Sequence, residues 1–211
     1  MNRADGRSGS MGATKILFVC TGNICRSPMA EYMTRAVAEE RGLDVLVRSA
    51  GLTVVGQPSP SYAVEVMEAR GIDMSGHRSR RLSAMMVRSA DLVVGMAGNH
   101  VREAAVLAMD RAARMGTLRE LSRLAQRRGP RASDMGVPEW VESLTRDRPL
   151  SQIGLGGSGD DIEDPYKRRK KFYERAAVEI EQSLLPLLDT MFPTTAGSAD
   201  STGSRRLAGE G

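Results

Sequence analysis

Short uninterrupted apolar runs alternate along the chain with stretches in which apolar residues recur every third or fourth position. Lys15-Ile-Leu-Phe-Val19 is an apolar run suited to a buried strand. Met29, Ala30, Met33 and Val37 then step along at helical spacing, with Pro28 suited to the first turn and Gly42 as the stop. Val45 to Ser49 reads as a second strand with Ala50-Gly51 as its exit, and Ser61 to Arg70 as a helix stopped by Gly71. Asp91 to Gly95 is a third buried strand, followed by a helix over Asn99 to Met109. Met115 to Leu118 reads as a short fourth strand leading into a helix through Gln126. Gly129 to Gly159, rich in Gly, Pro, Ser and charge, is expected to be a long loop anchored by Trp140. Phe172, Ala176, Ile180, Leu184 and Leu188 recur every fourth residue and predict a long amphipathic C-terminal helix.

Strands alternating with helices imply an α/β fold whose parallel sheet is covered on both faces. Such sheets place ligands beyond the carboxyl ends of their strands. The loop after the first strand, Cys20 to Ser27, lies at that end. Polar, Gly/Ser-rich stretches at Met1 to Thr14 and Pro193 to Gly211 are expected to be disordered tails around a single domain, residues 15–192.

Composition narrows the class. A chain of 211 residues with 41% apolar residues suits one soluble globular domain. A net charge of +4 mildly favours acidic or phosphorylated partners but lacks the basic stripe of a nucleic-acid binder. Two cysteines, Cys20 and Cys25, are too few for a secreted disulfide scaffold, and no stretch has the length of a membrane span or the apolar core of a secretory signal. The expectation is a cytoplasmic, reduced protein with no nucleic-acid or membrane partner, no cofactor and no metal.

The sequence Cys20-Thr21-Gly22-Asn23-Ile24-Cys25-Arg26-Ser27 suits a phosphate dianion. A loop of this length can curl its N–H groups into an anion nest, and the helix behind it adds its N-terminal dipole. Arg26 supplies a planar fork for two oxygens. Cys20 at the base of this electropositive bowl is set to act as a thiolate and form a phosphocysteine. Gly22 is expected to allow close backbone approach, and Asn23 to take a left-handed conformation.

Residues 19–31, Val-Cys-Thr-Gly-Asn-Ile-Cys-Arg-Ser-Pro-Met-Ala-Glu, resemble the signature of low-molecular-weight protein tyrosine phosphatases of the bacterial type. The resemblance runs from about Lys15 to Leu188. It implies a four-stranded parallel sheet with flanking helices. It also implies that Asp164, in Glu163-Asp164-Pro165-Tyr166, is the general acid and base, a residue that spacing alone marks only as a turn. Tyr166 would form an aromatic wall of the cleft, and Ser27, Ser49 and His77 would hold the loop asparagine Asn23. Ser27 would further donate to the sulfur of Cys20. Asp160, Asp161 and Glu163 are expected to stay solvated, and His100 to lie on a helix surface. Cys25 has two readings: a reversible disulfide partner of Cys20, or a small buried residue below the loop.

The chain departs from the family at the rim. Gly51-Leu-Thr-Val-Val-Gly56 has no aromatic residue, and Lys167 stands where many relatives carry another ring. A more open, aliphatic cleft resembles bacterial members tied to tyrosine kinases and polysaccharide pathways, so a tyrosine kinase or its targets are candidate partners. The run Lys167-Arg-Arg-Lys-Lys171 reads as a solvated face or as steering for acidic phosphopeptides. Three rivals to phosphotyrosine hydrolysis stand. Protein arginine phosphatases carry threonine at the position of Ile24. Arsenate reductases coupled to thioredoxin need a further distal cysteine, which this sequence lacks, although a form using an external thiol does not. A non-catalytic phosphate-binding module would not need Cys20, Arg26 and an acid together.

Overall fold

The computed structural model describes residues 12–154 and 159–194. Four strands, β1 (Thr14–Cys20), β2 (Val45–Gly51), β3 (Leu92–Gly95) and β4 (Met115–Thr117), form one parallel sheet in the order β2-β1-β3-β4. In register, Cys20 lies opposite Gly51 and Val19 opposite Gly95, so the carboxyl ends of the central strands meet at one place.

Alternation within the strands feeds two cores. Ile16, Phe18, Val47, Leu92 and Val94 face one side, packed with α1 (Arg26–Arg41), α2 (Ser61–Glu68), α5 (Leu118–Arg128) and α7 (Lys170–Met191). Leu17, Val19 and Val93 face the other, under α3 (Ala84–Ser89) and α4 (Gly98–Leu107), which contribute Val87, Val101 and Ala104. With few aromatics available, Ala, Val, Leu and Met fill most of both layers.

The four strands and the main helices lie where the pattern predicted, with small shifts. Thr14 belongs to β1, pairing with Val45, rather than to a tail. α1 ends as expected: Gly42 adopts φ 63° and its N–H caps Ala38 and Glu39 carbonyls. Of the expected disordered tails, residues 1–11 and 195–211 lie outside the described residues.

Three expectations need correction. First, the stretch expected as a loop over Gly129–Gly159 contains α6 (Val137–Thr145) and a short 3-10 turn over residues 150–152. Val137, Trp140, Val141 and Leu144 bury one face of α6, so Trp140 is a core residue of a helix. Gly136 and Pro138 start that helix, and their turn-forming character hid it. Beyond the helix, Arg148 ties the chain down by bonding the Glu120 carboxylate (3.0 Å) and the Met115 carbonyl (2.6 Å). Second, α3 and a 3-10 helix over Met109–Arg114 were not foreseen. Third, Tyr173 rather than Phe172 enters the core from α7, while Phe172 lies under the guanidinium of Arg168, 3.5 Å from its ring centre. Among the described residues no helix is long and apolar enough to cross a membrane.

Candidate active site

β1 delivers Cys20 to the end of the sheet, and the next residues curl over it before α1 begins. Asn23 sits at φ 52°, the left-handed turn expected of it. This curl aims the Asn23 N–H at the Cys20 sulfur (3.2 Å), and the Ser27 hydroxyl donates to the same sulfur from 3.0 Å. Among the described residues no side chain caps α1 at Cys25. Its first-turn N–H groups are therefore left for an anion. A close approach of β2 to the loop is required at Gly51 as well. A Cβ on Gly22 would meet Ile24 Cγ1 at 3.3 Å, whereas one on Gly51 would stand 2.7 Å from the Asn23 nitrogen.

The side chain of Asn23 is buried and fully engaged. Its Nδ2 donates to Ser27 (3.0 Å) and Ser49 (2.7 Å), and its Oδ1 accepts the Arg80 N–H (2.9 Å). His77 Nε2 lies 2.7 Å from the Asn23 carbonyl. Burial holds the His77 ring toward its neutral form, against the pull of that carbonyl and of the Glu31 charge. The loop, β2 and the Gly76–Arg80 turn are thus locked together through one residue.

Glu31, within the signature but given no role from sequence, completes this brace. Its carboxylate is wholly buried and accepts from the Ser49 hydroxyl and from Arg35. Its signal was positional: it lies one helical turn after Ser27, so both face the loop.

The cleft above the sulfur holds about 140 Å3 and is lined by loop residues with Thr53, Val54, Asp164 and Tyr166. The rim beside Val54 is aliphatic. Arg26 forms one wall. Its Nη2 bonds Asp164 Oδ2 at 2.5 Å, its Nη1 bonds the Ile162 carbonyl at 3.0 Å, and its buried Nε has no acceptor among the described residues. The Asp164 side chain stays 47% exposed, and its other oxygen accepts the Tyr166 N–H at 3.1 Å, forming a tight turn at Pro165. Tyr166 stands at the rim, about half exposed, and Lys167 takes a left-handed conformation (φ 60°) beside it.

Of the neighbouring acids, Asp161 and Glu163 are exposed as expected and Asp160 is not. Asp160 is buried and pairs with Arg123 (3.0 Å), Asp161 accepts the Gly98 N–H (2.8 Å), and Glu163 pairs with Arg168 and Arg175. Within the basic run, Arg168 is thereby occupied, and Lys170 bonds Glu65 at 2.8 Å.

Cys25 is a free, buried thiol. Burial pushes it well up from the ordinary thiol range, helped by the neighbouring Cys20 and Asp164 charges. The hydroxyl of Tyr173 meets it, and burial together with Cys25 pushes that phenol up to about 12.

His100 is the main miss. It is not on a surface: it is 1% exposed, in the first turn of α4, with Nε2 2.9 Å from the Thr21 hydroxyl. Burial, then the Arg26 charge, push its pKa down to about 3, so the ring is neutral. Its spacing to Ala104 on the buried face of α4 was the available signal. Among the described residues no three His, Cys, Asp or Glu side chains gather as a metal site.

A family model described as low molecular weight phosphotyrosine protein phosphatase matches residues 15–134. A probable low molecular weight protein-tyrosine-phosphatase, EpsP, from Ralstonia solanacearum is 46% identical over 89 residues, covering 42% of this chain and 59% of the relative. A protein-arginine-phosphatase from Bacillus subtilis is 46% identical over 87 residues, covering 40% of this chain and 57% of the relative. The chain thus aligns with less than two thirds of either relative's length. The crystal structure of a low molecular weight protein tyrosine phosphatase from T. tengcongensis superimposes with a TM-score of 0.64 at 30% identity, covering 85% of this chain and all of that one.

Proposed function

The chain belongs to the low molecular weight phosphotyrosine protein phosphatase family, and we propose that it is a cysteine-dependent phosphomonoester hydrolase acting on protein phosphotyrosine. The observation that carries this reading is the sulfur of Cys20, held by the Ser27 hydroxyl and the Asn23 N–H at the base of a cleft walled by Arg26 and Asp164.

A phosphate dianion enters the nest of loop N–H groups and takes the fork of Arg26, whose buried Nε has no acceptor among the described residues. The Cys20 thiolate attacks phosphorus in line. The S–P bond forms as the P–O bond to the leaving group breaks, and protonated Asp164 gives that oxygen its proton. Water then attacks phosphorus, the Asp164 carboxylate takes a proton from it, and the S–P bond breaks. Ser27 stabilises the departing sulfur, inorganic phosphate leaves, and Asp164 is again protonated for the next cycle. Asn23, Ser49 and His77 keep the nest stiff, so little reorganisation is needed at the transition state.

Tyr166 and Val54 shape the mouth for a flat aryl group, which Tyr166 can stack. Ile24 adds an aliphatic wall, which fits an aromatic ester better than a cationic guanidine. A cytoplasmic setting fits a nucleophile that must stay reduced, and a tyrosine kinase or its targets are the matching protein partners. The similarity to an arginine phosphatase makes phosphoarginine the reading to test beside it.

The test is parallel hydrolysis of an aryl phosphate and a phosphoarginine substrate, with thiol-dependent arsenate reduction as a third arm. Aryl phosphate is expected to be turned over fastest, and Cys20→Ser to abolish it. Preference for phosphoarginine or arsenate would overturn the substrate assignment.

A further inference from the structure

We propose that His100 is a positioning residue that holds Thr21 by its hydroxyl and so couples the phosphate loop to the segment carrying Asp164. This rests on the phosphatase reading and deepens it.

Thr21 is the residue after the nucleophile, and it is held at both ends. Its carbonyl accepts the Leu52 N–H (2.8 Å), the Thr53 N–H (3.2 Å) and the Thr53 hydroxyl (3.1 Å), which fixes its main chain to the exit of β2. Its hydroxyl meets His100 Nε2, which fixes its side chain to α4. The stretch leading into α4 in turn holds the acid segment. The Gly98 N–H donates to Asp161, and the Met96 carbonyl accepts the Ile162 N–H at 2.8 Å. The Ile162 carbonyl then receives Arg26. Residues Met96 to His100 therefore touch the loop on one side and the acid segment on the other.

The second ring nitrogen of His100 argues that folding alone does not account for a histidine here. Nδ1 is buried with no partner among the described residues. Burying a polar atom without a partner costs free energy, so an apolar side chain of similar size would suit folding better. A residue that folding disfavours, placed against the loop, fits a positioning role.

The test is a double-mutant cycle with His100→Leu, Thr21→Val and the pair, plus His100→Gln, which keeps a hydrogen-bonding group. Turnover of an aryl phosphate, affinity for orthophosphate and thermal midpoint are measured on each. His100→Leu and Thr21→Val are each expected to lower turnover about tenfold, and the pair about tenfold rather than a hundredfold, because one interaction is lost. His100→Gln should recover part of the loss, and the midpoint of His100→Leu should not fall. Additive losses, unchanged turnover in His100→Leu, or a lowered midpoint with no rescue by Gln would overturn the proposal. If the unaltered protein hydrolyses no aryl phosphate, the functional reading fails. The cycle is then still read from orthophosphate affinity, with the same non-additivity expected.

Discussion

Arg26 holds Asp164 and the chain just before it: Nη2 donates to the Asp164 carboxylate at 2.5 Å, and Nη1 donates to the Ile162 carbonyl, two residues earlier, at 3.0 Å. One guanidinium therefore sets both the wall of the phosphate nest and the place of the acid. A bound phosphate dianion competes with the Asp164 carboxylate for that fork. Binding and proton transfer are consequently separable by changing the acid alone.

Asp164→Asn keeps the shape and removes the proton and the charge. Turnover of phenyl phosphate, a poor leaving group, is expected to fall roughly 10²–10⁴-fold. Orthophosphate affinity should hold or tighten, because a negative neighbour is gone. Steady-state kinetics and calorimetric titration read the two quantities. A parallel loss of both would mean that Asp164 serves the fold of the cleft instead of proton transfer.

Asn23 combines a left-handed backbone with a fully bonded side chain, and two substitutions separate these. Asn23→Gly keeps the backbone freedom, whereas Asn23→Ala adds a left-handed strain of about 1–2 kcal/mol. Both should lose most activity, since both lose the bonds to Ser27 and Ser49. Urea unfolding should find the Ala variant less stable than the Gly variant by about that strain; equal stability would deny that the backbone turn matters.

Gly51→Ala tests the contact between β2 and the loop. Its Cβ would stand 2.7 Å from the Asn23 nitrogen and 2.8 Å from the Asn23 Cβ, neither of them the end of a flexible side chain. Overpacking of this kind costs about 1–3 kcal/mol. The loop should shift and turnover fall with it, whereas Gly42→Ala, far from the cleft and with open space for its Cβ, should lose stability only. Unchanged turnover in Gly51→Ala would show the loop to be softer than its bonding suggests.

The buried histidines make acid sensitivity calculable. His100 is ordinarily protonated below 6.5, but in the fold its pKa is pushed down to about 3. Between those values the unfolded chain binds a proton that the folded chain does not. Stability is therefore full above about 6.5 and is lost as pH falls toward 3, with a slope near 1.4 kcal/mol per pH unit for one such proton. His77 shifts in the same direction and adds to the loss. Unfolding curves of His100→Leu across this window should be shallower than those of the unaltered protein; parallel curves would exclude His100 as a source.

The strands were legible because each rests on a local signal, whereas the brace around Asn23 was legible only through resemblance. Apolar runs mark the strands, with Cys20 at the end of β1, Ser49 near the end of β2, Ser27 in the first turn of α1 and His77 in a turn. Asp164 was legible only through resemblance, since Asp-Pro alone signals a turn. α6 was obscured by its surroundings: Gly136 and Pro138 announce a loop, although Val137, Trp140, Val141 and Leu144 carry a helical face. His100 and Glu31 were missed because burial of a polar side chain is a tertiary fact. Neither neighbour along the chain reveals that α4 and α1 turn those faces toward the loop.

Cys20 is expected to carry the phosphoryl group. Mixing enzyme with an aryl phosphate, quenching in acid within one turnover and mapping the phosphorus by peptide mass tests it directly. A burst of phenol equal to the enzyme present, with phosphorus on the Cys20 peptide and none in Cys20→Ser, is the expected result. Full turnover by Cys20→Ser, or phosphorus on another residue, would contradict it.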